Sequence, residues 1–249
     1  MSEDVDLPEN HPRYESLLTR HRIEAGVDRG ITSRQGLIAQ GRGEAFDYLL
    51  GERTIDSADA AERAAAAHLL SAEHAVVSVN GNAAALVPGE LVELSEVTGA
   101  ALEVNLFNRT EKRIEAIADY LREHGATDVK GLTADDTIPG LDHERAKVDA
   151  DGIGSADVVL VPLEDGDRAE ALGAMGKTEL VIDLNPLSRS AQVATVPIID
   201  NIVRAIPGIT AHARELLDDP EAQQAAIDAF DAEAALAEAE RAIRTGSEE

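Results

Sequence analysis

Three short runs of apolar residues in the second half of the chain predict buried strands. They occupy residues 158–163, 180–182 and 196–199, and each is continuous rather than alternating with polar positions. Uninterrupted apolar runs of this length, bounded by glycine, proline, aspartate or asparagine, are typical of parallel strands that are covered on both faces. The pattern therefore predicts a parallel sheet.

The middle of the chain adds the unit from which such sheets are built. A strand, a tight turn, a helix and a second strand in succession indicate a βαβ unit. An apolar stripe at helical spacing, Ile114, Ile117 and Leu121, marks the helix after the second strand. The predicted order is a strand at residues 75–79, a turn at Asn80-Gly81-Asn82, a helix at 83–98, a strand at 102–107, a helix after Thr110 and a further strand near Val129.

Helical patterns precede and follow this unit, with capping residues at their starts and glycines at their ends. The sequence thus predicts an α/β fold: a Rossmann-like, doubly wound, mostly parallel sheet with helical N-terminal and C-terminal additions. We expect a single domain. Its predicted parts are a helical front end at 10–74, the Rossmann-like core at 75–205, and C-terminal helices with an acidic tail at 206–249, including helices at 207–217 and 220–243.

Polar clusters follow the three apolar runs at residues 164–168, 183–186 and 200–201. In parallel sheets ligands bind beyond the carboxyl ends of the strands, so these clusters should meet at one edge. Ser188-Arg189-Ser190 adds hydroxyls and a guanidinium, which can grip a phosphate. Nearby carboxylates could hold Mg²⁺ against that phosphate. The alternative is that these residues only cap turns and helices.

Composition narrows the possible partners. The formal charge is -26, with 48 acidic and 22 basic residues, which argues against nucleic acid and against an anionic membrane surface. Only four basic residues are lysines, and this suggests a salt-rich cytoplasm, where the charges are screened. A merely acidic mesophilic protein is the alternative.

The chain also lacks the features of exported and membrane proteins. It has no cysteine, which excludes disulfides and thiol nucleophiles. Residues 1–9 are acidic, without the apolar segment of a signal peptide, and no apolar run reaches the ~20 residues of a membrane helix. We therefore expect a soluble, cytoplasmic protein.

Two groups of basic residues are further candidates for binding anions. Arginines are concentrated in the front end, and Arg42 lies between two glycines, where a ligand can approach the backbone. Arg20 could instead form a surface ion pair with Glu15. His143, Arg145 and Lys147 could bind a phosphate or carboxylate, or belong to a solvated loop.

Known nucleotide motifs fit only in part. Arg109, just after the second predicted strand, could hold the 2′-phosphate of NADP, so an NADP-dependent oxidoreductase is the alternative function. However, the turn at Asn80-Gly81-Asn82 offers one glycine where a dinucleotide fingerprint has two or three. No P-loop is present. A regulatory module that binds a nucleotide without turnover is a third possibility.

Long motifs resemble a known family. The similarity spans roughly residues 10–215, and the chain resembles the archaeal 4-phosphopantoate and β-alanine ligases, also called phosphopantothenate synthetases. The strings that carry it are HPRYESLLTRHRI, GLIAQGRGEAFDYLLGERT, VVSVNGNAAALVP, NLFNRTEKR, IPGLDHERAKVD, VPLEDGDRAEAL and IDLNPLSRSAQVATVPIIDNIVRA.

The resemblance implies an ATP-dependent ligase of coenzyme A synthesis, a homodimer with a Rossmann-like core. It would join 4-phosphopantoate to β-alanine and release AMP and diphosphate, with Mg²⁺ assisting. Arg42 and Arg189 would stabilise the charge that develops during activation of the carboxylate. The resemblance places ATP at Arg20, Arg42, Asp183, Leu184, Asn185, Arg189, Ser190, Asn201 and Ile202. For the phosphate of 4-phosphopantoate we expect Arg145 and Lys147, with His143 beside them, and the metal ligand is open among Asp165, Asp167 and Asp183.

Overall fold

The computed structural model describes residues 10–11, 13–162 and 166–246. The acidic start at residues 1–9 and the candidate metal ligand Asp165 therefore lie outside the described residues. Among the helices that are described, none is both long and apolar enough to cross a bilayer.

A five-stranded, fully parallel sheet forms the centre of the molecule. Its strands are β1 (Ala75–Val79), β2 (Ala101–Val104), β5 (Val158–Pro162), β6 (Thr178–Ile182) and β7 (Val196–Ile198). The spatial order is β2-β1-β5-β6-β7. A parallel bridge between Glu103 and Lys130 adds a rudimentary sixth position outside β2. The α/β Rossmann-like fold expected from the apolar runs is confirmed.

Both faces of the sheet are covered, which explains why its strands show no polar alternation. Val77 and Val79 point into the larger core, beneath α-helices rich in alanine and leucine. Val76, Val159 and Val161 point to the opposite face, into a smaller core. Successive residues of one strand thus serve different layers.

Helices pack on the sheet and extend it at both ends of the chain. The first group is α1 (Tyr14–Asp28), α2 (Arg34–Leu50), α3 (Asp56–Ser71), α4 (Gly81–Leu86), α5 (Pro88–Thr98) and α6 (Glu111–Glu123). The second group is α7 (Gly166–Ala174), α8 (Arg189–Val193), α9 (Ile202–Leu216), α10 (Pro220–Ala229) and α11 (Ala232–Thr245).

Three predicted helices have different limits in the structure. The helix expected at 83–98 is two helices, because Val87 leaves the helical region immediately before Pro88. The helix expected at 220–243 is also broken, since Phe230 is extended and Asp231 caps α11. The segment expected from residue 207 begins earlier, at Ile202, because Asn201 caps α9 and Pro207 is tolerated inside it.

The charged stretch at residues 138–147 is not an isolated loop. It joins β3 (Asp136–Thr137) to β4 (Lys147–Val148), a short antiparallel ribbon, through a 3₁₀ turn at Glu144–Ala146. Ile138 and Val148 anchor it in the smaller core. The second predicted strand, expected to reach residue 107, ends at Val104.

Candidate active site

A cleft of about 480 Å³ lies at the carboxyl end of β6, between that edge of the sheet and α2. One wall is the middle of α2, and the other is the segment that follows β6 together with the start of α7. Its lining residues are Ala39, Arg42, Gly43, Phe46, Gly166, Asp167, Asp183, Leu184, Asn185, Ser188, Arg189 and Ser190. The cleft thus contains six of the nine residues predicted to bind ATP.

Asp183 organises the segment after β6. Its Oδ1 accepts a hydrogen bond from the backbone N–H of Asn185 at 3.0 Å, and its Oδ2 accepts one from the Ser190 hydroxyl at 3.3 Å. The side chain of Asn185 in turn accepts from the N–H of Leu187 at 3.0 Å. Ser188 caps α8 by accepting from the N–H of Ala191. The segment is therefore a hydrogen-bonded loop that presents Arg189 at its end.

Arg189 and Arg42 face the cleft from opposite walls. Arg189 is 59 % exposed, and its nearest carboxylates are Glu170 at 3.5 Å and Asp167 at 3.7 Å. Its stem lies against Gly166, where an added Cβ would come within 2.8 Å of the Arg189 Cβ. Arg42 is exposed, and no carboxylate of the described residues lies within ion-pairing distance of it. Both guanidiniums keep donors available for an anion.

Asn201 and Ile202 line a narrow space beside the cleft that shares Gly43, Asp183 and Leu184 with it. The Asn201 side chain caps α9 by accepting from the N–H of Val203 at 3.3 Å. Its amide also donates to Asp47 of α2 at 2.7 Å. The capping interpretation therefore describes Asn201 correctly, and the same residue also borders the space predicted to hold ATP.

Arg204 and two buried carboxylates close this end of the cleft. Arg204 Nη2 donates to Asp47 Oδ1 and to Asp200 Oδ1, both at 2.5 Å. Asp200 also accepts from the Thr54 hydroxyl at 2.5 Å. Burial alone would lower the pKa of Arg204, but its bonds to Asp47 and Asp200 raise that pKa above the ordinary value. The group is a saturated ion network that fixes α9 to α2.

A second space, of about 290 Å³, lies next to the cleft on the side of β1 and β2 and shares Ala39 with it. Arg145, which is 4 % exposed, lines this space. His143 lies beside Phe107, with ring centroids 5.4 Å apart, and its Nε2 is 3.4 Å from Asp167. Lys147 is exposed and pairs with Glu144 at 2.9 Å. Of the three residues predicted for 4-phosphopantoate, Arg145 therefore lines the second space, whereas His143 and Lys147 do not.

Arg20 lies apart from the other residues predicted to bind ATP. It extends from α1 and makes a two-pronged ion pair with Glu44 of α2, with Nε to Oε1 at 2.8 Å and Nη2 to Oε2 at 2.9 Å. The partner is thus Glu44 and not Glu15. Hydrogen bonding to Glu44 raises the pKa of Arg20.

The turn after β1, Asn80-Gly81-Asn82, borders the second space and also packs closely against the segment before α2. A Cβ on Gly81 would lie 2.5 Å from the carbonyl oxygen of Ile31, so the glycine allows close backbone packing. Asn82 accepts a short hydrogen bond from Thr32 and donates to the carbonyl of Gly36 at 3.0 Å. Arg109 donates to the carbonyl of Gly131 at 2.7 Å. Gly81 thus serves close packing and Arg109 holds a backbone carbonyl, while Asn80, Gly81 and Asn82 also line the second space.

The donors available to a metal in the cleft are few. Asp167 and Asp183 both line it. In the part of the chain that the structure describes, three potential metal ligands lie together elsewhere: Asp59, Glu62 and His212. None of these three residues lines the cleft. A metal in the cleft would thus need substrate oxygens to complete its coordination, which is how Mg²⁺ is usually held.

Sequence reasoning identified Arg42 but missed the other residues of the wall contributed by α2. Ala39 and Phe46 line the cleft, and Asp47 anchors Asn201 and Arg204. A signal was available, because Ala39, Gly43 and Phe46 recur at helical spacing around the glycine-flanked Arg42. Gly43 is small enough to let Leu184 approach α2, with Cδ1 3.5 Å from an added Cβ.

Comparisons with known proteins agree over most of the chain. The phosphopantothenate/pantothenate synthetase family matches residues 57–246. A 4-phosphopantoate–β-alanine ligase of Thermococcus onnurineus is 59 % identical over 215 residues, 86 % of this chain and 82 % of the relative. The ligase of the same name from Methanosarcina mazei is 56 % identical over 212 residues, 85 % of this chain and 83 % of the relative. That of Methanospirillum hungatei is 56 % identical over 213 residues, 86 % and 87 % of the two chains.

Proposed function

Because the chain belongs to the phosphopantothenate/pantothenate synthetase family, we propose that it is the ATP-dependent ligase that joins 4-phosphopantoate to β-alanine. The products would be 4′-phosphopantothenate, AMP and diphosphate. The observation that carries this proposal is the cleft in which Arg42 and Arg189 face each other across the Asp183 loop. The oxidoreductase alternative has no support from the relatives, and Gly81 and Arg109 are engaged in packing.

The reaction needs a cationic site because every reactant except the amine is an anion. A carboxylate does not react with an amine until one of its oxygens becomes part of a leaving group. In the proposed first step, a carboxylate oxygen of 4-phosphopantoate attacks the α-phosphorus of ATP, and diphosphate leaves. The β-alanine amine then attacks the acyl carbon, AMP leaves, and the amine loses a proton. The enzyme's task is chiefly positioning and charge stabilisation.

Arg189 and Arg42 are suited to that task. Negative charge accumulates on the phosphate oxygens as the phosphorus is attacked, and fixed donors aimed at that charge lower the barrier. Arg189 is held at its stem by Gly166 and at its base by the capped start of α8. Arg42 projects from the middle of α2, whose wall is fixed by Asp47. The two guanidiniums would approach the phosphates from both sides.

Mg²⁺ fits this site as a companion of the nucleotide. Asp167 and Asp183 are the described carboxylates that line the cleft, and Asp183 already accepts two hydrogen bonds. Asp167 is therefore the better candidate, with His143 and Arg189 near it. When bound, the ion would neutralise phosphate charge.

The second space, next to the cleft, would hold 4-phosphopantoate. Arg145 lines it, and the hydrogen bond from Asn105 to the carbonyl of Arg145, at 3.2 Å, helps to hold the backbone there. The space shares Ala39 with the first cleft, so the two substrates would meet there. Lys147 would have to release Glu144 before it could contribute.

Product formation tests the proposal directly. The protein is incubated with ATP, Mg²⁺, 4-phosphopantoate and β-alanine in high KCl, and AMP and 4′-phosphopantothenate are quantified. We expect both products in equal amounts, and neither when an acid or amine substrate is omitted. Production of ADP instead of AMP, or no product in any salt, would contradict the proposed reaction.

The surrounding conditions follow from the same proposal. We propose a homodimer, since α2 exposes Ile38 and Tyr48, each 75 % accessible, and static light scattering after gel filtration tests it.

We also propose adaptation to a salt-rich cytoplasm, which the charge of -26 supports. The melting temperature should then rise steeply between millimolar and molar KCl, and a flat response would refute the adaptation.

A further inference from the structure

A second cluster of ligand-type side chains lies between α3 and α9, away from the lining of the cleft. Asp59 and Glu62 project from neighbouring turns of α3, and His212 projects from α9. One ligand atom from each residue lies within 4.8 Å of the other two. His212 Nε2 and Asp59 Oδ1 are 3.0 Å apart. The cluster therefore brings one imidazole nitrogen and two carboxylates to one point.

Glu62 is the unusual member of this cluster. The residue is only 2 % exposed, and its buried Oε1 accepts no hydrogen bond from the described residues. Asp200 lies near it, but two carboxyl groups can bond to each other only through a shared proton. The nearby Arg204 is occupied by Asp47 and Asp200. A buried carboxylate in this position needs a cation or a proton, because an unpaired buried charge is costly.

The space around Glu62 is made by a glycine. A Cβ on Gly208 of α9 would lie 1.8 Å from Glu62 Oε2, so no other residue fits at this point without displacing the carboxylate. The two helices can thus meet closely while a carboxylate remains between them. His212 lies one turn further along α9, and its side chain is 15 % exposed whereas that of Asp59 is 65 % exposed, so the cluster opens to solvent on the Asp59 side.

We propose that Asp59, Glu62 and His212 form a binding site for a divalent transition-metal ion, of which Zn²⁺ fits the ligands best. A mixed set of imidazole and carboxylate donors suits Zn²⁺ better than the hard cations Mg²⁺ and Ca²⁺, which prefer oxygen alone. Three protein ligands leave a fourth tetrahedral position for water. The site is independent of the proposed ligase activity.

The surroundings of His212 support its role as a ligand. Its Nδ1 lies 3.7 Å from Glu215 Oε2, an ion-pair distance that is too long for a hydrogen bond, and Glu215 is itself held by Arg63 at 2.9 Å. Metal-bound histidines usually direct the second ring nitrogen at a carboxylate, which orients the ring. Nε2 then remains for the metal. Tetrahedral Zn²⁺ with bonds of about 2.0–2.1 Å places its ligand atoms roughly 3.3 Å apart, so the cluster closes by small side-chain rotations.

The ion would act as a clamp between two helices. α3 and α9 belong to different parts of the chain, and α9 begins at Asn201 beside the cleft. An ion that binds only the folded protein raises its stability with the ratio of free ion to Kd. The expected effect is therefore a Zn²⁺-dependent rise in melting temperature without any nucleotide present.

Calorimetry on untagged, chelator-treated protein tests the site. We expect one Zn²⁺ per chain and a higher melting temperature, with no comparable response to Mg²⁺ at the same concentration. Substitution by Co²⁺ should give the intense visible absorption of a four-coordinate site. Absence of stoichiometric Zn²⁺ binding would overturn the proposal.

Three variants show whether the ion is bound by these residues. Glu62→Gln and His212→Asn should each weaken Zn²⁺ binding by at least about 100-fold, more than the loss of a second-shell partner usually does. His74→Asn, at an exposed histidine outside the cluster, should bind like the wild type. If Glu62→Gln does not fold, His212→Asn decides. Unchanged binding in His212→Asn would overturn the proposal.

Discussion

Arg189 and Arg204 lie at the same edge of the sheet but differ in their surroundings. Arg204 is 25 % exposed and contacts two carboxylates at 2.5 Å, Asp47 and Asp200, which are themselves buried. Arg189 is 59 % exposed, and its nearest carboxylates lie at 3.5 and 3.7 Å. The two residues follow successive strands, β6 and β7, and the sequence alone does not distinguish them.

The difference separates two uses of one side chain. A guanidinium whose donors are satisfied by buried carboxylates holds structure together, and its removal leaves charges unpaired. A guanidinium with unsatisfied donors beside a cleft can take a ligand's oxygens. We therefore expect variants at Arg204 to change stability first, and variants at Arg189 to change turnover first.

The largest effect should come from Arg189→Ala. We expect kcat/KM for the proposed reaction to fall by about 100- to 1000-fold, the usual result of removing one donor to a developing charge. The melting temperature should stay near that of the wild type, because exposed ion pairs contribute little. Steady-state kinetics and a thermal scan on the same samples measure both.

Arg214→Ala is the matched control for that variant. Arg214 is an exposed arginine paired with Glu93, and it does not line the cleft. Its turnover should equal that of the wild type. If Arg189→Ala also kept full turnover, its assigned role in charge stabilisation would be wrong.

Arg204→Ala should have the next largest effect, this time on folding. Truncation leaves Asp47 and Asp200 buried without their cation, which typically costs about 3–5 kcal/mol; partial exposure of Arg204 favours the lower end. Urea unfolding of the two proteins in the same salt measures the difference. A loss below about 1 kcal/mol, the value of a surface pair, would show that the network is not a buried one.

Glu103 extends the comparison of buried and exposed charged residues from arginines to a carboxylate. It is fully buried in β2, where its oxygens accept from the N–H groups of Asp149 and Ile153. Burial raises the pKa of Glu103 from 4.5 to about 7, although those bonds and Arg168 oppose the rise. The folded state therefore binds the proton more tightly than the unfolded chain does.

The sign of the pH dependence follows. Stability from Glu103 is fully present below about pH 4.5 and is lost as the pH rises through about 7, with a total near 3 kcal/mol. We expect the difference in unfolding free energy between wild type and Glu103→Gln to fall between pH 5 and pH 8. A pH-independent difference would show that Glu103 titrates normally.

Arg20→Ala should have the smallest effect on stability. Its pair with Glu44 lies at the surface, so we expect the unfolding free energy to change by less than about 1 kcal/mol. The KM of this variant for ATP tests whether Arg20 belongs to the nucleotide site. A raised KM would support the role that the family resemblance gives Arg20, and an unchanged KM would remove it from the nucleotide site.

The strands and the position of the cleft could be predicted because both follow from local pattern. Continuous apolar runs gave β5, β6 and β7, and the polar residues after β6 line the cleft. Asp183, Asn185 and Arg189 come together because a parallel sheet brings its carboxyl ends to one edge. The resemblance to a family added Arg20, which no pattern connects with that edge.

What the sequence could not reveal depends on long-range contacts. Gly81 is the single glycine of an incomplete dinucleotide motif, and its missing Cβ allows the close approach of Ile31. Glu103 sits in a strand with nothing in its neighbours to indicate burial against residues 149–153. Likewise, the pairing of Arg204 with Asp47 joins residues 157 positions apart.

The helix that forms one wall of the cleft is fastened at both of its ends. Near its start, Gly36 accepts from Asn82, and near its finish Asp47 receives bonds from Asn201 and Arg204. The width of the cleft that substrates enter is therefore preorganised before they bind. A rigid bisubstrate analogue that matches this width would lose little conformational entropy on binding. Rigidity rather than size should therefore govern the potency of inhibitors.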